Sequence, residues 1–128
     1  MQVAEFNRVL KEFAQKHAPQ QVAVMERKIA LEGLRRLAMK TPVDTGRARG
    51  GWQVGLGSYP QGQVDRLDPG GETTIAAGSE VIGQIKTPVR CVIANNVEYI
   101  EALEHGHSQQ APNGMLSLTL DELGRVFK

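Results

Sequence analysis

The chain has 128 residues, of which 41% are hydrophobic and only 5% aromatic. That is enough for one domain with a modest core of Leu, Ile, Val and Ala. Fifteen basic residues against fourteen acidic ones leave a net charge of +1, which is not the basic excess typical of nucleic-acid binders. The single cysteine, Cys91, excludes an internal disulfide and a disulfide scaffold. No apolar run approaches the ~20 residues of a membrane span, and Met1–Glu5 meets charge too soon to open a signal peptide. A soluble, cytoplasmic chain is expected.

Residues 2–16 read as a helix, with Val3, Phe6, Leu10 and Phe13 at helical spacing. Pro19 and the Ala18 before it interrupt the pattern. A longer helix is expected from about Gln20 to Met39. Its apolar set is Val22, Met25, Ile29, Leu34 and Leu37, widened by Val24, Leu31 and Ala38. So broad an arc implies burial on more than one side, in the core or against another subunit. Gly33 within it suggests a close helix contact.

Thr41-Pro42-Val43-Asp44-Thr45-Gly46 stops that helix with turn chemistry. From Gly50 to Gly57, Trp52, Val54 and Leu56 alternate with Gln53 and Gly55, the pattern of a strand with one buried face. Residues 58–72 hold two prolines and three glycines and read as a long flexible loop. Thr73 can cap a helix over Thr74–Ile85, although Thr73–Ala77 also suits a strand. Val89–Ala94 is β-branched and bounded by Pro88 and Asn95-Asn96, which marks a strand. Within it Cys91 reads as buried and inert. Asn95 or Asn96 can cap a short helix, Val97–Leu103. Met115–Phe127 reads as a terminal helix, with a strand over Met115–Leu120 as the alternative. The sum is a single α+β domain over 1–128, helical over 1–40 and mixed over 41–128, around a small antiparallel or mixed sheet. Two strands are too few for a stable sheet. Further strands from the long loop, or pairing between subunits, are implied.

Several segments invite a chemical reading. Glu104, His105 and His107, with Glu101, offer carboxylate and imidazole ligands of the kind zinc takes, but His-x-His is not the i, i+4 spacing of helical zinc sites. The plainer reading is a polar loop. Ser108 beside His107 is no triad, and no phosphate-binding glycine loop or nucleophile elbow occurs. Enzyme chemistry is disfavoured, and no cofactor is implied. Arg35, Arg36, Lys40, Arg47 and Arg49 lie within fifteen residues. The first three suit a helix C-terminus, while Arg47 and Arg49 suit a partner contact equally well. Trp52 reads as a core anchor, or as an interface anchor. Pro112-Asn113-Gly114 is a turn signal.

The segments "TPVDTGRARGGW" and "VIANNVEYIEALEHGHSQQAPNGM" together resemble a family of tailed-bacteriophage neck and tail-completion proteins, the tail-component group that is similar to phage lambda's minor tail protein Z. The residues that match are Thr41, Pro42, Asp44, Thr45, Gly46, Arg47 and Trp52, then Asn95, Asn96, Tyr99, Leu103, Glu104, Gly106, Ala111, Pro112, Gly114 and Met115. The likeness runs through residues 41–120; the N-terminal helices match only in type. It implies a non-enzymatic structural protein of the head-to-tail joint of a long-tailed phage or prophage. Such a protein is assembled in the host cytoplasm and located in the virion neck, as a homo-oligomeric ring of six copies around the DNA channel. Its neighbours would be head-closure or connector proteins and tail-terminator or tail-tube proteins. DNA would pass without specific binding, and no membrane is involved. The interface candidates are Arg47, Arg49, Trp52, Tyr99, Glu104, His105, His107, Gln109, Gln110 and Met115, with residues 58–72 as an arm that orders on assembly. Other readings are a tail terminator or other connector-ring protein, a DNA-contacting accessory protein using Arg35, Arg36, Arg47 and Arg49, and a small metal-dependent hydrolase built on Glu104, His105 and His107.

Overall fold

The computed structural model describes residues 2–4, 11, 14–106, 110–111 and 113–127, with the backbone alone for 2–4. The fold is α+β. Among the described residues it contains β1 (Gln2–Ala4), α1 (Pro19–Lys40), α2 (Arg47–Gly50), β2 (Trp52–Leu56), α3 (Glu72–Ile82), β3 (Cys91–Asn95), α4 (Ile100–Glu104) and α5 (Leu116–Val126). The sheet is antiparallel with order β1-β3-β2. Trp52 pairs with Asn95 and Leu56 with Cys91 on one side of β3, and Gln2 pairs with Asn95 on the other.

The third strand therefore comes from the N-terminal segment, not from the long loop. This corrects the start of the helix expected over 2–16, whose described positions Lys11 and Ala14 are helical. Gln2–Ala4 is extended against β3, while Phe6, Leu10 and Phe13 lie outside the described residues. Helical periodicity lost here because β3 would otherwise leave a row of backbone donors and acceptors unpaired at its edge. An isolated helix of that length is marginal in water, so a tertiary partner decides its fate.

Helix α1 starts as its sequence suggests. Pro19 occupies the first turn, and the Gln21 side chain accepts the Ala18 N–H at 3.0 Å. Its inward face is Ala23, Ile29, Ala30, Leu34, Leu37 and Ala38, and it packs on α3, α5 and the sheet. The apolar arc is narrower than expected, because Val24 (42%) and Leu31 (36%) face outward. Cross-strand partners share a face, so Trp52, Val54 and Leu56 lie with Asn95, Ile93 and Cys91 on the core side. Trp52 is 1% exposed.

Helices α3 and α4 differ from the sequence reading in how they start, β3 runs over Cys91–Asn95 instead of Val89–Ala94, and Gly50 belongs to α2 instead of the strand. Helix α3 begins at Glu72, and Thr73 does not cap it. The carboxylate of Asp68 does, accepting the Thr74 N–H at 2.7 Å and the Thr74 hydroxyl at 2.6 Å. The helix runs through residues 73–77, so the strand alternative there falls. Helix α4 begins at Ile100, and neither Asn95 nor Asn96 caps it. Asn95 is instead the last residue of β3, where its Oδ1 accepts the Val97 N–H at 3.1 Å and its Nδ2 donates to the Ala48 carbonyl at 2.8 Å. Helix α5 replaces the strand alternative over Met115–Leu120.

Thr41 ends α1 and is fully buried. Its hydroxyl donates to the Leu37 carbonyl at 2.6 Å and accepts from the Trp52 indole N–H at 2.7 Å. Thr41→Val keeps the shape but leaves the indole donor and the Leu37 carbonyl without this partner. A loss of about 1–3 kcal/mol in urea unfolding is expected.

Glu26 is a carboxylate only 4% exposed. It accepts the Val89 N–H at 3.1 Å, yet burial raises its pKa above the ordinary 4.5 more than that bond lowers it. The folded state thus holds the proton more tightly than the unfolded chain. Stability should fall as pH rises from 4.5 through the raised folded value. Glu26→Gln should remove that decline, so its advantage over the parent protein grows with pH. Thermal melts at several pH values measure this.

Candidate functional site

Segments forty residues apart in sequence meet at one corner of the fold. The turn 41–46 enters α2 through Gly46 at φ +90°, a left-handed conformation that favours glycine. Helix α2 is joined to the end of β3 by the Asn95–Ala48 bond. Gln110 closes the corner from the other side. Its side-chain oxygen accepts the Val43 N–H at 2.8 Å, and its amide donates to the Val43 carbonyl at 3.0 Å. A primary amide has one donor edge and one acceptor edge, so it pairs with backbone as a strand would.

Arg47 leaves this corner toward solvent. Its guanidinium makes a two-point contact with Glu98, at 3.0 and 3.2 Å, and donates to the Gln63 Oε1 at 2.7 Å. Gln63 in turn donates to Glu98 at 3.0 Å. The guanidinium also lies 5.8 Å from the ring centre of Tyr99, which is 39% exposed. The bonds from Arg47 and then Gln63 hold the Glu98 carboxyl down at about 2, so it stays ionised through the physiological range. Gln63 and Glu98 were not among the sequence candidates. Nothing in their spacing predicts the meeting, which depends on how residues 58–71 fold back.

Arg49 does different work, although it is only two residues from Arg47. It donates to the carbonyls of Met39 at 3.1 Å, Thr41 at 2.9 Å and Pro69 at 2.7 Å. These bonds supply donors to the end of α1 and tie the long loop to it. Trp52 and Met115, read as interface candidates, are core residues at 1% and 0% exposure.

Glu104 is also committed internally. Its carboxylate accepts the N–H groups of Met115 at 3.0 Å, Leu116 at 2.7 Å and Ser117 at 3.3 Å. These are orphan donors at the start of α5, where negative charge is favoured. Gly114 makes the approach possible. Its φ is +79°, and a Cβ there would stand 2.3 Å from the Glu104 carbonyl oxygen. His105 is exposed on the turn after α4, while His107, Gln109 and Pro112 lie outside the described residues. Among the described residues no group of three His, Cys, Asp or Glu side chains is placed to hold a metal ion.

Cys91 is buried, and burial first, with the Glu26 carboxylate adding to it, pushes its thiol up to about 12. It is therefore a thiol at neutral pH, not a nucleophilic thiolate. The remaining cations of the basic cluster are paired. Arg36 and Lys40 contact Glu122 at 3.4 and 2.6 Å, and Glu32 contacts Arg36 at 2.8 Å and Arg35 at 3.7 Å. No helix among the described residues is long and apolar enough to cross a membrane. Comparison of the chain with family models, with curated proteins and with solved structures gives no match.

Removing the Glu104 carboxylate should leave the first turn of α5 short of its acceptor. Glu104→Ala is expected to cost about 1–2 kcal/mol in chemical denaturation. Amide exchange should accelerate first at Leu116 and Ser117.

Proposed function

We propose that the protein is a structural subunit of the head-to-tail joint of a long-tailed bacteriophage or prophage. In this reading several copies, six in the arrangement the family resemblance implies, form a ring around the DNA channel. The ring would bind head-closure or connector proteins on one side and tail-terminator or tail-tube proteins on the other. The observation that carries the reading is the convergence of the two resembling segments. Asn95 meets α2, Gln110 meets Val43 and Arg47 lies by Tyr99. Residues of both segments thus build one corner of the fold, as they would if the likeness reflects a shared architecture.

Charge placement fits passive passage of DNA better than a grip on it. Arg35, Arg36, Lys40 and Arg47 are each paired with a carboxylate, and Arg49 is spent on backbone carbonyls. Phosphate contacts would have to compete with those partners. Among the described candidates for contact with a neighbour, Tyr99, His105 and Gln110 are exposed and Arg47 is half-buried.

The test is a phage or prophage from which this chain is deleted. Full heads and finished tails that do not join are the expected products in electron micrographs. An Arg47→Glu, Tyr99→Ala variant that keeps its melting temperature should fail to restore joining. Normal virions from the deletion, or full restoration by that variant, would overturn the function or the assigned surface respectively.

A further inference from the structure

The long segment between β2 and α3 is expected from its composition to be loose, yet its two halves are held in different ways. Residues 66–71 are fastened to the interior. Arg66 donates to the Gly50 and Trp52 carbonyls, both at 3.1 Å, the Asp68 N–H donates to the Gly46 carbonyl at 3.1 Å, and the Asp68 carboxylate caps α3. Asp68 is 7% exposed. Residues 58–65 are held by side chains of the sheet and its rim, the Pro60 carbonyl accepting from Asn96 at 3.2 Å. Tyr59 rests on Arg90, whose guanidinium is 4.5 Å from its ring centre. The Gly62 carbonyl accepts from Gln53 at 2.9 Å and Asn96 at 2.7 Å. Gln63 is tied to Arg47 and Glu98. Gln61, Gly62, Gln63 and Asp65 are exposed.

What lies beneath is the second face of the sheet. Gln53 pairs with Ala94 and Gly55 with Val92, so these four share the face away from the main core. A Cβ on Gly55 would come within 2.4 Å of the Ser58 carbonyl oxygen and 2.9 Å of Pro60. The segment thus lies flat on β2 because position 55 has no side chain.

We infer that residues 58–65 form a latched flap over the second face of the sheet, with the Arg47–Gln63–Glu98 triangle as the latch. The flap hinges between Gly57, at φ +82° with open space around it, and the fixed Arg66. The latch is built from exposed polar groups, so water and salt compete for every bond in it. Opening is therefore a local event, decoupled from the core that holds residues 66–71. A partner that presents a carboxylate to Arg47 would compete with Glu98 and Gln63 and release the flap. That would uncover Gln53, Gly55 and Asn96 beside the contact. The device belongs to the isolated chain and stands independently of the phage-joint reading.

Hydrogen exchange on the full-length protein tests the latch. Gln63→Ala removes both flap-to-latch bonds and touches no core residue. The amides of Gln61–Asp65 should exchange about threefold faster, the scale of one weak exposed interaction, and molar salt should produce the same change in the parent protein. Exchange in α3, β2 and residues 66–71 should not move. An unchanged rate in 61–65, or equal acceleration throughout the chain, would overturn the proposal. A second variant, Glu98→Gln, keeps the chain length and polarity but removes the ionic half of the latch. It should give a smaller acceleration confined to the same amides, and no local change there would count equally against it.

Discussion

One side of the end of helix α1 is buried at Leu37, Ala38 and Thr41, where carbonyls must be met by donors other than bulk water. An unpaired buried carbonyl costs about as much as a lost hydrogen bond, so the donors that arrive there determine the path of the chain that follows. Two side chains supply them, and a third fastens one of those two. The Thr41 hydroxyl turns back on Leu37, the Arg49 guanidinium gathers the carbonyls of Met39, Thr41 and Pro69, and the Trp52 indole donates to the same Thr41 hydroxyl. Because one hydroxyl serves both α1 and Trp52, the end of the helix and the start of β2 are fixed together. The sheet register, α2 between them and the return of the long segment through Pro69 follow from that junction.

The same device recurs at the starts of α3 and α5. Local caps are few, and the groups that replace them come from elsewhere: Asp68 for α3, Glu104 for α5, Gln110 for the backbone at Val43. Each is a polar side chain that satisfies backbone instead of facing a ligand. Several residues that look chemical in the sequence are accounted for in this way. Such contacts also bind irregular segments to regular ones, which matters where the sheet, among the described residues, has three short strands. A sheet of that size needs its flanking segments held in place.

At the surface, charge is arranged in pairs. Glu32 and Glu122 neutralise the basic face of α1 and join it to α5, while Arg47 and Glu98 do the same at the corner where the two resembling segments meet. Exposed pairs of this kind add little stability. They do prevent the cations from acting as free anchors for phosphate, and they can be exchanged at low cost for pairs with a neighbour.

Helix α1, strands β2 and β3, and helix α5 were legible in the sequence because their period and their bounding Pro, Gly and Asn residues are local signals. Local signals survive when the tertiary environment agrees with them. The burial of Cys91 and Trp52 was legible for the same reason. Residues 2–4 were not, because a helical pattern there lost to the unpaired edge of β3. The caps from Asp68 and Glu104 were hidden for a related cause: a carboxylate chooses among distant N–H groups only after the backbone has brought them near. Arg47 and Arg49 make the point most sharply. They are two residues apart and chemically identical, yet one closes a helix end and the other reaches solvent. Sequence determined that two cations would flank the turn after α1; the tertiary structure alone decided which had orphan carbonyls within reach.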